Sequence, residues 1–274
     1  MPQDFSVVMS VYHADHPVHF AQAIESVINQ SLQPIELILV VDGPINGKLK
    51  DVVYKYEGNP LVKLMQLPDN VGLGSARHQA ILSAVTPVVA VMDSDDICLP
   101  NRFELQIEAL NTKKIDVVGA YIAEFSEFPE ALERVRKVPL IHDQIVKRGR
   151  LLSPINHVTI MFRKESYLRV GGYHAFRKVE DYDLFYRMVV AGLKFANLPE
   201  ILVLVRATDA QYTRRHGLEY LREEIKLCRG MFKSGYIGYI DLLRNLAIRI
   251  VVRLMPVSIL EILSKRFLRV SSIK

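Results

Sequence analysis

An α/β fold, with helices on both faces of a mostly parallel, Rossmann-like sheet, is predicted by three features of this chain. Apolar runs rich in valine and isoleucine recur early in the sequence: FSVVMSV (5–11), IELILVV (35–41) and VVAVM (88–92). Segments with helical spacing separate them, and the runs end at polar or turn-forming residues. Strands that are apolar on both sides belong to sheets covered on both faces. Strand and helix alternating from the first residues build such a sheet.

The first run, 5–11, is the first strand. Pro17 suits the first turn of a helix, with Asp15 or His16 as its cap. Val18, Ala21, Ile24 and Ile28 give that helix an apolar stripe. Pro34 closes it, 35–41 is the second strand, and Asp42-Gly43-Pro44 turns the chain. A third, more exposed strand is expected over 61–67, a loop over 70–74 (NVGLG), a helix over 75–85 and the buried strand at 88–92. The stretch 115–125 reads as a strand and 127–150 as irregular. HVTIMFR (157–163) alternates like a half-buried strand. EDYDLFYRMVVA (180–191) is an amphipathic helix that opens with acids, which its N-terminal dipole favours. A late strand covers 201–205.

Half of the 274 residues are hydrophobic and 24% are charged, which excludes a disordered chain. Cys98 and Cys228 lie far apart and suggest neither a disulfide framework nor a zinc site. The opening Met1-Pro2-Gln3-Asp4 has no basic stretch before an apolar core, so no secretory signal is expected. No run is long enough to span a membrane. The net charge of +5 is uneven: residues 213–274 hold 13 Lys and Arg against 5 Asp and Glu, leaving −3 for residues 1–212. The boundary falls there, with a main domain over 1–212 and a basic helical extension over 213–274. Within it Arg244, Arg249, Arg253, Lys265, Arg266 and Arg269 punctuate an aliphatic background that Pro256 divides into two helices. Two readings stand open: a hairpin packed on the body, or interfacial helices on an anionic membrane. Nucleic acid is not the expected partner, because no aromatic platform accompanies the arginines.

Asp93-Ser94-Asp95-Asp96 follows the buried strand 88–92 directly. Three carboxylates in four positions repel one another unless something positive joins them. A hard divalent cation, magnesium or manganese, is the simplest partner, and it commonly bridges carboxylates to substrate phosphates. In parallel sheets ligands bind beyond the C-terminal strand ends. Tyr12, Asp42 and the acidic run therefore converge on one rim.

The chain resembles family-2 glycosyltransferases of the GT-A fold, close to bacterial enzymes of exopolysaccharide and O-antigen synthesis of the amylovoran type. The matching segments are SVVMSVYH (6–13), ESVINQSLQPIELILVVDGP (25–44), NVGLGSARHQAI (70–81), VMDSDDICLPNRFE (91–104), NHVTIMFRK (156–164) and GGYHAFRKVEDYDLFYRM (171–188). They keep the family's order over roughly three quarters of the chain. The resemblance implies a UDP-sugar donor and inverting displacement at the anomeric carbon. It implies that Tyr12 stacks beside the uracil, with Ser10 a polar neighbour, and that Asp42 accepts from the uracil ring. Val41 stands where relatives have a first aspartate. Arg77, in SARHQA, would reach toward the nucleotide; His78 replaces the usual asparagine. In the DxD-like run, Asp93 would contact the ribose, Asp95 would ligate the metal and Asp96 would lie near the donor sugar. Asp181 matches the general base, with Glu180 beside it. His157 and Thr159 match the segment next to the acceptor. Arg214-Arg215-His216 lies where some relatives close a loop over the diphosphate. A lipid-linked saccharide acceptor would account for the basic extension, on a protein peripheral to the cytoplasmic face of a bacterial inner membrane. Two alternatives stand beside this reading. A sugar-phosphate nucleotidyltransferase would need a glycine-rich loop after the first strand, where this chain has Val11-Tyr12-His13-Ala14-Asp15. A non-catalytic scaffold would not need Asp95 and Asp181.

Overall fold

The structure, a computed structural model, describes residues 4–207 and 217–255. The three apolar runs form strands as expected: β1 (Phe5–Val11), β2 (Glu36–Asp42) and β4 (Val88–Met92), each buried along its whole length. With β3 (Val62–Leu67) they make a parallel set in the order β3-β2-β1-β4. The order reverses beside β1, so the crevice where ligands bind such sheets opens between β1 and β4. Beyond β4 the sheet is mixed. β8 (Met161–Arg163) pairs antiparallel with β4, and β6 (Val117–Phe125) follows antiparallel to β8. The next strand, β9 (Phe195–Arg206), runs parallel to β6, and the two-residue β5 (Ile97–Cys98) closes the edge. β7 (Arg134–Arg136) hangs on β6.

Helices cover both faces. Pro17 does open α1 (Pro17–Ile28), but neither Asp15 nor His16 caps it with a side chain. Its buried face is Phe20, Ala23, Ile24 and Val27. Val18 of the expected stripe is 56% exposed. The helix carries apolar residues on two sides, and the side that holds the large Phe20 takes the core because it removes more area from water. Asn46 caps α2 (Gly47–Glu57), accepting from the Leu49 amide at 3.0 Å. The expected helix at 75–85 begins and ends earlier, as α3 (Leu73–Ser83). α4 (Arg102–Thr112), α5 (His142–Gly149) and α6 (Lys164–Arg169) fill connections that hydrophobic spacing leaves unmarked.

The strand expected over 157–163 is only half there. His157–Thr159 is a single 3-10 turn, and β8 starts at Met161. The Thr159 hydroxyl decides this locally: it donates to the Asn156 carbonyl at 2.7 Å and accepts from the Ala120 amide at 2.9 Å. β9 in turn starts well before Ile201, and a register shift against β6 absorbs Pro199.

Arg102 ties the acidic strand to this turn. Its buried guanidinium donates to the Val91 carbonyl at 2.8 Å and to Gln106 Oε1 at 3.0 Å. Gln106 Nε2 then donates to the Thr159 carbonyl at 2.7 Å. The end of β4 and the residues around His157 are thereby fixed relative to each other.

The helix opening with acids is α7 (Glu180–Val190). Against it packs α8 (Leu218–Lys233), which leads into α9 (Tyr239–Leu254). Leu227, Met231, Tyr236 and Ile237 form one cluster with Val179, Tyr182 and Tyr186. The turn between the two helices is 234–238, where Gly235 has a φ of +74°, and not Pro256, which lies outside the described residues, as do Lys265, Arg266, Arg269 and 214–216. Among the described residues no helix is long and apolar enough to cross a membrane.

Two glycines permit close contacts near the rim. Gly43 has a φ of +81°, and a side chain there would come 2.6 Å from the Asn70 amide nitrogen. Gly172 has a φ of +68° and sits equally close to His78. His78, bonded to the Tyr167 hydroxyl at 2.7 Å, is thus part of the wall behind the 171–173 turn. Gly172→Ala adds backbone strain and a collision, and is expected to lower stability by about 2 kcal/mol in urea denaturation.

Candidate active site

The carboxylates of Asp93, Asp95 and Asp96 gather just past β4, with one oxygen of each within 4.8 Å of the others. Strand β4 delivers them there because its five preceding residues are fully committed to the core. Burial first, then Asp95 and Asp93, pushes Asp96 well above the ordinary carboxylate range. One acid in the group thus already lacks enough positive charge around it. Three hard oxygen donors at this separation suit a divalent cation such as Mg²⁺ or Mn²⁺. Asp96 also anchors the end of β9: its Oδ1 accepts from the Arg206 amide at 3.0 Å. Arg206 Nε donates to the Asp95 carbonyl at 3.3 Å.

Arg77 comes up from α3 and forms an ion pair with Asp93. It is not a surface arginine; only 2% of it is exposed. Burial opposes its charge, but Asp93, with Tyr173 and Glu180 behind it, outweighs that and raises its pKa. Its Nη1 lies 3.4 Å from His157 Nδ1, and His157 Nε2 lies 2.7 Å from the Tyr173 hydroxyl. A guanidinium only donates, so Nδ1 is the acceptor and Nε2 carries the proton toward Tyr173. Burial, reinforced by the charge of Arg77, brings His157 down to about 4, so its ring is neutral near pH 7.

Glu180 and Asp181 open α7, in the turn where a helix dipole favours negative charge. Gly74 lets α3 approach this end, since a side chain there would already touch Glu180 and Tyr173. Burial, together with Asp181, pushes Glu180 up to about 7. Its Oε2 is buried without a hydrogen-bond partner among the described residues. Asp181 is half-buried, and its Oδ1 accepts from the Tyr182 amide at 2.7 Å. His157 feels the charges of both Asp181 and Asp93, and Glu180 feels Arg77 and Asp93. Residues 77, 93, 157, 180 and 181, spread over a hundred positions of sequence, therefore share one electrostatic environment.

One side of the crevice is built from β1 and β2. Tyr12, just past β1, is 37% exposed. Ser10 is buried two residues before it, on the same side of the strand. Asp42, at the end of β2, has both oxygens engaged by the NVG loop: Val71 N donates at 2.7 Å and Gly72 N at 3.1 Å. Each oxygen keeps a second lone pair. Thr159, expected beside the acceptor, is buried and spends its hydroxyl on the backbone.

Three participants were not singled out from the sequence. Asp15 accepts from the Tyr12 amide at 3.1 Å and from the Ser94 hydroxyl at 2.9 Å, joining the end of β1 to the acidic run. Burial raises its pKa above the ordinary value. Tyr173 holds His157, and Arg206 holds Asp96. Tyr173 follows a Gly-Gly pair and Arg206 ends an apolar run, which are the signals that mark them.

A protein-family model described as "Glycosyl transferase family 2" matches residues 6–171. The chain belongs to that family. It is 35% identical over 263 residues to the amylovoran biosynthesis glycosyltransferase AmsE of Erwinia amylovora, covering 96% of this chain and 98% of that one. It is 32% identical over 267 residues to the UDP-Gal:alpha-D-GlcNAc-diphosphoundecaprenol beta-1,3-galactosyltransferase of Escherichia coli, covering 97% and 96%. Among solved structures it resembles S. aureus TarS 1–349 in complex with UDP-GlcNAc, with a TM-score of 0.68 at 16% identity over 91% of this chain and 72% of that one. Against a longer TarS chain it spans 43% of the length. The mannosyltransferase PcManGT of Pyrobaculum calidifontis, in complex with GDP-Man and Mn²⁺, gives a TM-score of 0.64 at 13% identity, covering 99% and 77%. At these identities the structures speak for the fold alone, which is GT-A.

The raised Glu180 sets a pH dependence. The unfolded chain releases this proton near 4.5, whereas the folded chain keeps it to about 7. The stability it contributes is therefore full below the unfolded value and is lost as pH rises to the folded one. Glu180→Gln stays neutral throughout. In urea denaturation without divalent cations, the variant's stability relative to wild type is expected to be higher at about pH 8 than at about pH 4.

Proposed function

We propose that the protein is an inverting glycosyltransferase that moves one sugar from a UDP-sugar to a lipid-linked saccharide in cell-surface polysaccharide synthesis. The observation that carries this is the meeting of the Asp93-Asp95-Asp96 cluster with the Glu180-Asp181 pair across Arg77. One end suits a nucleotide diphosphate and the other suits an acceptor hydroxyl. The E. coli relative's name, with UDP-Gal as donor and a diphosphoundecaprenol-linked acceptor, supports both substrate classes. The TarS complexes with UDP-GlcNAc and UDP support a uridine donor on this fold.

In this reading Tyr12 stacks on the uracil, Ser10 lines that wall, and Asp42 accepts from the uracil ring with a spare lone pair. Asp93 holds the ribose while Arg77 fixes its carboxylate. Asp95 ligates the divalent metal and Asp96 stands beside the donor sugar. When bound, the metal neutralises the charge that develops on the departing diphosphate. Asp181 takes the proton from the acceptor hydroxyl as that oxygen bonds to the anomeric carbon and the bond to UDP breaks. A single displacement with one base inverts the anomeric centre. Glu180 and the neutral His157 line the acceptor side; Glu180 adds its negative charge near the attacking oxygen only as pH rises through about 7. We assign catalysis to residues 1–212 and membrane contact to the extension 213–274, on the cytoplasmic face of the inner membrane.

Release of UDP from a panel of UDP-sugars, with Mn²⁺ or Mg²⁺, tests the assignment. Asp95→Ala is expected to abolish the metal-dependent release. Asp181→Asn is expected to slow transfer by about 10²- to 10⁴-fold, while UDP binding by calorimetry stays intact. Unchanged turnover in either variant removes the corresponding role.

A further inference from the structure

Helix α9 is amphipathic in the opposite sense to a helix packed on a protein core. Three of its polar side chains, Asn245, Arg249 and Arg253, face inward. Asn245 is 0% exposed, and its Nδ2 donates to the Arg150 carbonyl at 2.7 Å. Arg249 Nη2 donates to the Leu151 carbonyl at 3.2 Å. Arg253 forks onto Glu224 of α8 at 2.8 and 2.9 Å. Two of the arginines expected to meet a membrane are therefore interior.

The apolar side chains of α9 face outward. Ile240 is 81% exposed, and Leu243, Ile250, Val251 and Leu254 are exposed with it. At 3.6 residues per turn these positions fall within a stripe about 100° wide. A contiguous apolar face of this kind marks an interaction surface.

The stripe has a basic margin on another element. A groove of about 510 Å³ lies between α5 and α9, lined in part by Lys147, Arg148, Arg150, Leu152 and Arg244. Arg244 pairs with Asp241 at 2.9 Å. Lys147, Arg148 and Arg150 have no carboxylate in salt-bridge range among the described residues. An exposed leucine, Leu152, sits among them. Uncompensated cations beside an apolar strip match an amphiphile with an anionic head.

We propose that the α5–α9 groove and the outward stripe of α9 form a membrane-docking face. The groove takes the phosphate of an anionic phospholipid, and the stripe sinks among the acyl chains. Charge favours lipid over a second copy of the chain. A two-fold contact through the stripe would bring two copies of the same basic margin together, and like charges across an interface oppose association. The face also connects to the catalytic helix. The Tyr182 hydroxyl donates to the Gly149 carbonyl at 2.8 Å, joining the C-terminal end of α5 to the turn of α7 that holds Asp181. The proposal deepens the membrane reading above and rests on it, but on none of the catalytic assignments.

Flotation of the full chain tests it, with equimolar phosphatidylglycerol–phosphatidylcholine vesicles against phosphatidylcholine alone. Three proteins are compared: wild type, Lys147→Ala with Arg148→Ala, and Ile240→Asp with Val251→Asp. All four positions are exposed, so folding is expected to survive, and a thermal melt checks this. Wild type is expected to prefer the anionic vesicles. Loss of two cations is expected to weaken that binding roughly 30-fold, at roughly fivefold per cation. The aspartate pair is expected to abolish binding and leave UDP-sugar cleavage in solution unchanged. If wild type binds neither vesicle, the membrane reading falls and this proposal falls with it. If wild type binds and both variants bind equally well, the contact lies elsewhere on the chain and only this proposal falls. A dimer broken by the aspartate pair with vesicle binding intact would reassign the stripe to self-association and overturn the proposal.

Discussion

One buried guanidinium holds the candidate site together. Arg77 sits where Asp93, Glu180 and the His157 ring converge, itself almost wholly buried, beside a Glu180 that burial makes costly to ionise. Removing an ion from water costs several kcal/mol, and a partner must recover that cost through close geometry. Arg77 achieves it for Asp93 directly and lowers the cost for Glu180 at longer range. It also fixes the His157 tautomer, because it can only donate. Much around it serves that position. Gly74 lets α3 reach the end of α7, Gly172 lets the 171–173 turn close over His78, and Tyr173 holds the far side of the imidazole.

The parts legible in the sequence were those where one physical requirement dominated. Strands β1, β2 and β4 are apolar on both faces because helices cover both, and no other element gives that pattern over so short a run. The acidic run was legible because repulsion among Asp93, Asp95 and Asp96 needs an explanation outside the chain. The helix at Glu180 was legible because its acids stand at the end a helix dipole favours. Requirements in competition were not legible. Helix α1 offers two apolar faces, and only three-dimensional packing selects Phe20 and Val27 over Val18. α4 carries Arg102 and Gln106 on its buried side, so its hydrophobic spacing is broken where it matters most. Around His157 the alternation suggested a strand, but a threonine hydroxyl bonding to the backbone turned the chain instead.

The C-terminal helices show what composition leaves undecided. A basic, aliphatic segment left two arrangements open: a hairpin packed on the body, or arginines facing an anionic surface. In the structure Arg249 is buried on backbone carbonyls and Arg253 on Glu224, while the aliphatics face out. A charge count cannot separate these arrangements, since both have the same composition and the same helical period. What separates them is the partner on the inner side. Residues 150–151 offer carbonyls, and Asn245 and Arg249 turn inward to meet them. Most of the exposed cations that line the groove, Lys147, Arg148 and Arg150, belong to α5 and the residue just after it, nearly a hundred residues earlier in the chain. α8, by contrast, contributes Leu227 and Met231 to the cluster beneath Tyr182. The extension is thus part of the wall supporting α7, not a tail attached to a finished body.

In the proposed reaction, two adjacent carboxylates at the start of α7 divide the work through their surroundings. Glu180 is the more enclosed, with one oxygen lacking any partner, and burial keeps a proton on it to about pH 7. Asp181 is open on one side, and a helix amide donates to it. Enclosure of one carboxyl beside a more open one is a way for one site to hold both a proton donor and a proton acceptor. A protonated Glu180 places no second negative charge against Asp181, and its hydroxyl becomes a donor for a substrate oxygen. The same enclosure that makes Glu180 costly to ionise thus suits Asp181 to take a proton from the acceptor.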